Sequence, residues 1–144
     1  MGAQRSIEAA LPHLKKSAAD TGDASIVIIS SVSGAETSNP NAYGAMKAAL
    51  IHLAKGYAKQ LAGEHVRCNV VSPGTVYFKG GVWNMIEDNM PAVYKDAMER
   101  NPMGRMATPD DIANATVFLS SPRSSFTSGI NMVVDGAYTG RVNF

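Results

Sequence analysis

Two side chains with complementary proton chemistry lie four residues apart in the stretch NAYGAMKAAL, residues 41–50. They are Tyr43 and Lys47, and on a helix this spacing puts both on one face, about one turn apart. A phenol, whose ordinary pKa is about 10, needs help to exchange a proton near neutrality, and a nearby ammonium group favours the phenolate. Upstream, SSVSG supplies the hydroxyl of Ser31. Together these three groups can protonate a carbonyl oxygen as it becomes an alcohol.

The Tyr-x-x-x-Lys spacing alone is weak, because many helices contain it by chance. Its ordinary alternative is a packed tyrosine beside a solvated lysine. The serines at 30, 33 and 72 also compete with Ser31, as loop or strand-end hydroxyls. The interpretation therefore depends on the elements around these residues.

Composition excludes several classes of function. The 144 residues are 45% hydrophobic and 17% charged, which is typical of one globular domain with a real core. A net charge of +1 gives no electrostatic reason to expect a nucleic acid or an anionic membrane as partner. No apolar run approaches the ~20 residues of a membrane span. The three histidines show no metal-ligand spacing, so we predict no metal site. The single cysteine, Cys68, excludes an internal disulfide and suits the cytoplasm, which we predict as the location.

The apolar patterns predict an alternation of helices and buried strands. A strand, a long helix and a second strand imply parallel pairing through a right-handed crossover. The predicted elements are a helix at 3–16, a loop at 17–23, a strand at 24–31, a helix at about 40–62, and strands at 66–72 and 130–135.

Local signals predict where the helices begin and end. Asn39 and Pro40 suit the N-cap and first residue of the long helix, and Gly63 can end it. Thr108 and Pro109 give the same start signal for a later helix. The inner stripe of the long helix is predicted at Met46, Leu50, Leu53, Ala54, Tyr57 and Leu61.

Residues 75–107 differ in character, since they contain five of the eight methionines with several aromatic residues. Such side chains make adaptable apolar surface. A long segment after the carboxyl end of a strand stands where ligands bind in open α/β sheets. We therefore predict a substrate loop or lid, in which Trp83 and Met85 either contact the substrate or pack within the lid.

Taken together, these motifs resemble the short-chain dehydrogenase/reductase family. The matching pieces are IISSVSG, YGAMK, NVVSPGTV, NPMGRMATPDDIANATVFLSSP and SGINMVVDGA, in the family's order. The resemblance implies an α/β fold: the carboxyl-terminal half of a doubly wound, Rossmann-like parallel sheet, with three strands and helices on both faces. Residues 1–144 would then be a single partial domain.

The resemblance also implies an NAD(P)-dependent oxidoreductase that moves hydride between nicotinamide and a secondary alcohol or ketone. Ser31 would hold the substrate oxygen and Tyr43 would pass it a proton. Lys47 would favour loss of that proton and bind the nicotinamide ribose. Further cofactor contacts would come from Tyr43, Pro73, Gly74 and Val76, and substrate contacts from Ser33, Trp83 and Met85.

The chain departs from the family pattern in its cofactor half. No two of its glycines stand two positions apart, so it has no G-x-G turn to hold a pyrophosphate at a helix N-terminus. Phe78 stands where the family usually has a threonine. We therefore expect a truncated carboxyl-terminal portion that binds NAD or NADP weakly by itself.

Two functions stay open at this point. One is the oxidoreductase, acting on a small alcohol or ketone and forming a homo-oligomer in the complete family fold. The other is a catalytically inactive remnant that acts only through the family's subunit-packing surfaces.

Overall fold

The computed structural model describes residues 2–37 and 39–142. In this part of the chain, five helices alternate with three strands. The helices are α1 (Gly2–Thr21), α2 (Ala42–Leu61), α3 (Val82–Asn89), α4 (Pro91–Glu99) and α5 (Pro109–Ser120), and the strands are β1 (Ala24–Ile29), β2 (Val66–Pro73) and β3 (Asn131–Val134).

The strands form one parallel sheet in the order β1-β2-β3. Ala24 pairs with Val66 at one end of the first pair, and Pro73 pairs with Val134 at the end of the second. The strand–helix–strand crossover through α2 therefore pairs β1 with β2 in parallel, as the sequence predicts. The α/β fold class is confirmed.

Alternate residues of the strands face opposite layers, because side chains alternate along a strand. On one face, β1 and β2 pack against α1 and α2 in a core that includes Ile28, Val70, Ala54 and Leu61. On the other face, Leu119 of α5 is fully buried and its carbonyl accepts a hydrogen bond from Ser25 Oγ. Helices thus cover both faces.

β1 is an edge strand in the described residues, since its only strand partner there is β2. Its last residue, Ile29, is 44% exposed. Unpaired backbone groups along such an edge can pair with another strand.

Several predicted boundaries are wrong by a few residues. The loop expected at 17–23 is helical as far as Thr21, because Ala18 is buried and keeps the last turn against the core. Gly22 then ends α1 with a φ of 82°, and its N–H donates to the Ala18 carbonyl. The first strand ends at Ile29 instead of residue 31.

The ends of α2 also differ from the prediction. Asn41 caps the helix in place of Asn39, because its side chain reaches the Gly44 N–H. At the other end, a short 3-10 turn runs through Gly63, and His65 takes the left-handed conformation. Met46 lies outside the buried stripe and is 61% exposed.

α5 begins as predicted, with Thr108 as N-cap and Pro109 in the first turn. The Thr108 hydroxyl accepts from the Asp111 N–H, and Asp111 Oδ2 accepts from the Thr108 N–H. Hydrogen bonds from Arg105 and Thr108 hold the pKa of Asp111 well below its ordinary value. The carboxylate therefore stays ionised where it stabilises the helix start.

Arg67 ties the opposite, amino-terminal end of the sheet to α5. Its side chain is only 5% exposed and its guanidinium donates to both carboxylate oxygens of Asp23. It also donates to the Leu119 carbonyl, the Ser121 carbonyl and Ser124 Oγ. A buried cation with this many acceptors is fully paired, which is the condition for tolerating its burial.

Candidate active site

The end of β1 leads directly into a buried serine. Ser31 caps a 3-10 turn at Val32–Gly34, and its Oγ accepts a hydrogen bond from the Ser33 N–H at 3.2 Å. The Ser31 hydroxyl proton is therefore not used by this bond, so it can be donated to another oxygen. This places a hydrogen-bond donor at the carboxyl end of the sheet.

The first turns of α2 bring the phenol and the ammonium group to the same place. The Tyr43 side chain is 58% exposed, and Lys47 Nζ lies 5.6 Å from the centre of its ring. Lys47 Nζ also donates to the Ile29 carbonyl at 3.1 Å. A cation thus stands between the end of β1 and the aromatic ring.

Backbone contact sets the distance between the serine turn and α2. A β carbon on Gly34 would lie 2.7 Å from the Lys47 carbonyl carbon. One on Gly44 would lie 2.6 Å from the Ser33 carbonyl oxygen. Both distances are shorter than real Cβ contacts allow, so only glycine permits this approach.

These two glycines, together with Ser30, were missed as site-building residues in the sequence reasoning. Ser30 Oγ donates to the Lys47 carbonyl at 2.9 Å and fastens the same junction. Gly34 is part of the SSVSG motif and Gly44 follows Tyr43 directly, so their positions beside the chemical groups were the available signal.

Two of the other serines considered, Ser30 and Ser72, have structural partners for their side chains. Besides Ser30, Ser72 Oγ bonds Asn131 Oδ1 at 2.6 Å, which joins β2 to β3. Ser30 directly follows β1 and its hydroxyl is used by the Lys47 carbonyl, whereas Ser31 is the N-cap that starts the turn against α2. The structure is therefore consistent with the choice of Ser31 and leaves its catalytic role as a prediction.

The end of β2 forms the second wall of the site. A β carbon on Gly74 would lie 2.7 Å from the Asp135 Cβ, so this glycine lets the loop after β3 pack closely. Val76 forms an isolated parallel bridge with Ala107. Ile29, Pro73, Val76 and Phe78, with residues of α5, line an apolar cavity of about 460 Å³.

Trp83 and Met85 lie on α3, whose packing partner is α4. Trp83 is half-buried and Met85 is exposed. Their assignment as substrate contacts stays a prediction, as does the role of residues 75–107 as a lid.

Residues 75–107 also contain a cluster of Tyr77, Glu87 and Tyr94, called the clasp below, which the sequence patterns do not predict. The Tyr77 hydroxyl donates to Glu87 Oε2, and the rings of Tyr77 and Tyr94 meet edge to face with centres 6.1 Å apart. The hydrogen bond to Glu87, with burial and the carboxylate charge, raises the pKa of Tyr77 to about 12. This clasp joins the loop after β2 to both α3 and α4.

Residues 2–37 and 39–142 lack the features of a metal centre and of a membrane-spanning helix. No group of three or more His, Cys, Asp and Glu side chains there is arranged to hold a metal ion. None of the helices in that part is long and apolar enough to cross a membrane.

Comparison with known proteins identifies the family. The family model described as enoyl-(acyl carrier protein) reductase matches residues 1–139. The isoepoxydon dehydrogenase of Penicillium expansum is 39% identical over 138 residues, which are 94% of this chain and 52% of that protein. The 2-keto-3-deoxy-L-fuconate dehydrogenase of Xanthomonas campestris is 37% identical over 124 residues, 83% of this chain and 41% of that protein.

Solved structures agree. A short-chain dehydrogenase/reductase family oxidoreductase from Burkholderia thailandensis superimposes with a TM-score of 0.82 at 36% identity, over 92% of this chain and 50% of that one. The ligand-free aldohexose dehydrogenase of Thermoplasma acidophilum superimposes with a TM-score of 0.82 at 32% identity, over 99% of this chain and 57% of that one. The chain spans about half the length of the curated relatives it matches. The chain belongs to the short-chain dehydrogenase/reductase family, whose members named here are dehydrogenases and other oxidoreductases.

Proposed function

We propose that the chain supplies the catalytic half of an NAD(P)-dependent oxidoreductase that interconverts a secondary alcohol and a ketone. The observation that carries the proposal is the junction of β1 with α2. There the exposed phenol of Tyr43, the ammonium group of Lys47 and the hydroxyl of Ser31 are assembled by backbone contacts. Family membership supports the same reaction class.

Tyr43 is the proton-transfer group. In the reducing direction its hydroxyl gives a proton to the carbonyl oxygen while a hydride reaches the carbonyl carbon, so the C=O bond becomes CH–OH. In the oxidising direction the phenolate takes the alcohol proton back. Ser31 donates a hydrogen bond to the same oxygen, where negative charge develops.

The residues present suit one end of a nicotinamide cofactor, which supplies or accepts the hydride when bound. The apolar cavity beside Pro73, Val76 and Phe78 offers a surface for a flat ring. Lys47 still has two N–H groups beyond its bond to Ile29 and can donate to ribose hydroxyls. The pyrophosphate finds no G-x-G turn among these 144 residues, so tight binding needs residues outside this sequence.

The decisive experiment compares two lysine variants in the protein that carries this sequence. Oxidation of a panel of secondary alcohols is followed by NADH or NADPH absorbance. Lys47→Ala removes the ammonium group beside Tyr43 and should abolish most turnover. Lys59→Ala, an exposed position on the same helix, should change it little. Equal activities of the two variants would exclude the proposed role of Lys47.

The second candidate, an inactive chain that acts through subunit packing, is favoured by one observation, the unpaired edge of β1. It predicts no turnover by the wild type with either cofactor. We also retain a cytoplasmic location and a homo-oligomer as proposals. Sedimentation of the protein that carries this sequence tests whether it forms a homo-oligomer.

A further inference from the structure

A polar cavity of about 370 Å³ opens beside the serine turn. It lies between that turn, the end of α4 and the residues after β3. Its lining consists of Val32, Ser33, Glu36, Thr37, Arg100, Tyr138 and Thr139. The cavity adjoins the proposed catalytic groups, because the Ser33 N–H donates to Ser31 Oγ.

Two of the three segments around this cavity, the end of α4 and the residues after β3, are distant in the sequence and are joined by a cation–π contact. The Arg100 guanidinium lies 5.4 Å from the centre of the Tyr138 ring. The Thr139 hydroxyl donates to Asp135 Oδ2 at 2.7 Å, so its own oxygen can still accept. The wall after β3 is therefore fixed against α4.

The charge balance argues against an anionic ligand. Arg100 is already paired with Asp96, with Nη2 and Oδ2 3.1 Å apart. Glu36 adds a carboxylate to the lining itself. A carboxylate or phosphate would meet one partly neutralised cation and an acidic side chain, so repulsion opposes it.

The same lining suits hydroxyl groups. A guanidinium donates up to five N–H groups, a carboxylate only accepts, and serine and threonine hydroxyls do both. Adjacent hydroxyls on a ligand can therefore donate to Glu36 and accept from Arg100. The Tyr138 ring adds an apolar surface for C–H groups. An apolar alcohol would displace water from these polar groups without replacing its hydrogen bonds, which costs binding energy.

We propose that this cavity receives the hydroxyl-bearing part of a neutral polyhydroxylated substrate, of the polyol or sugar class, whose reacting carbon lies at Tyr43. The assignment rests on the proposed oxidoreductase function and adds the substrate class. Glu36 and Arg100 are its specificity-determining residues.

The kinetic test uses sorbitol, xylitol and myo-inositol as polyol probes, cyclohexanol as the apolar probe and 3-hydroxybutyrate as the anionic probe. We expect a polyol to be oxidised with the highest kcat/KM by the protein that carries this sequence. Glu36→Gln and Arg100→Met should each raise the KM for that polyol about tenfold or more, the scale of a lost hydrogen bond to a charged group. The kcat and the rate with cyclohexanol should stay near wild type.

Lys95→Ala is the matched control, since it removes an exposed cation from the same helix as the Arg100 side of the cavity. It should leave the KM and kcat for all five probes unchanged. A preference for cyclohexanol or 3-hydroxybutyrate would overturn the substrate class. Unchanged polyol KM values in the Glu36 and Arg100 variants would overturn their role.

A binding measurement separates this inference from the proposed function. Saturation-transfer NMR with myo-inositol, sorbitol and xylitol, with and without NAD⁺, needs no turnover. Binding of a polyol that weakens in Glu36→Gln supports the cavity assignment even where no alcohol is oxidised. The absence of a polyol signal, both with and without NAD⁺, would overturn the cavity assignment even if the protein oxidises cyclohexanol.

Discussion

Two regions at the carboxyl end of the sheet are built by different means. The proposed catalytic corner, formed by residues 29–34 and 41–48, is held by close backbone contact at Gly34 and Gly44, which leave no room for a β carbon, and by the hydrogen bond from Ser30 Oγ to the Lys47 carbonyl. In the segment at 75–107, backbone hydrogen bonds join the two ends, at Thr75, Tyr77 and Ala107, whereas side chains such as Tyr77 and Glu87 join its loop to its helices. The segment also leaves large apolar side chains exposed, at Phe78, Val82, Met85, Met90, Val93 and Met103.

The difference assigns the proposed proton transfer to one region and the proposed substrate selectivity to the other. Backbone contact fixes where the serine turn meets α2, the helix that carries Tyr43 and Lys47. A segment held by side chains can change its surface without moving the reacting groups. Proton transfer needs such fixed geometry, whereas flexible methionines make adaptable surface.

The largest effect should come from removing the proton itself. Tyr43→Phe keeps the ring over which Lys47 lies and deletes only the hydroxyl. Turnover should fall about 10²-fold or more, the usual scale of general acid–base catalysis, with little change in the thermal melt. Tyr94→Phe, in segment 75–107, is the control and should lose far less. Near-normal activity of Tyr43→Phe would disprove the assignment.

The next effect tests whether backbone contact positions the corner. Gly44→Ala places a methyl group 2.6 Å from the Ser33 carbonyl oxygen, so it should lower the free energy of unfolding by about 1–3 kcal/mol, the usual cost of overpacking. Gly56 is on the same helix with nothing within 4 Å. Gly56→Ala should raise that free energy by about 0.5–1 kcal/mol through helix propensity.

Urea unfolding of both variants measures the comparison. Turnover should fall in Gly44→Ala alone, because the serine turn is pushed away from α2. If the two alanine variants behaved alike in both measurements, the close approach of Ser33 to α2 would have no role in positioning the site.

The smallest effect concerns the clasp in segment 75–107. Because the pKa of Tyr77 is raised to about 12, its protonated form is favoured by the fold. That contribution is fully present below the ordinary value of about 10 and is lost as the pH rises through about 12. The clasp therefore persists through the neutral range.

Glu87→Gln should lower the pKa of Tyr77 toward its ordinary value, because the acceptor carboxylate and its charge are removed. An alkaline tyrosinate absorbance titration measures this, with Glu99→Gln on α4 as control. The KM of Glu87→Gln for alcohol substrates should differ from wild type by no more than a few-fold. A titration identical to wild type would show that Glu87 does not hold Tyr77.

Local sequence patterns predicted the strands and the placement of Tyr43 and Lys47 on one helix face, because each depends on residues close together in the sequence. The parallel pairing followed from the long helix between the first two strands. The patterns missed α3 and α4, since the apolar residues of 75–107 are divided between buried and exposed positions and form no single stripe. They also missed the contacts of Gly34 with α2 and of Arg100 with Tyr138. Those contacts join residues far apart in the sequence, and only the tertiary fold brings them together.

The buried guanidinium of Arg67 has a consequence for synthesis of the chain. Asp23 precedes it, whereas its other acceptors, at Leu119, Ser121 and Ser124, follow about fifty residues later. While the chain is still emerging from a ribosome, β2 cannot be buried at this end without leaving a cation short of acceptors. Since such burial is strongly unfavourable, the sheet should close late, after α5 has left the exit tunnel. Nascent chains halted with residue 119 still inside the tunnel should stay sensitive to protease, and those in which residue 124 has emerged should become resistant.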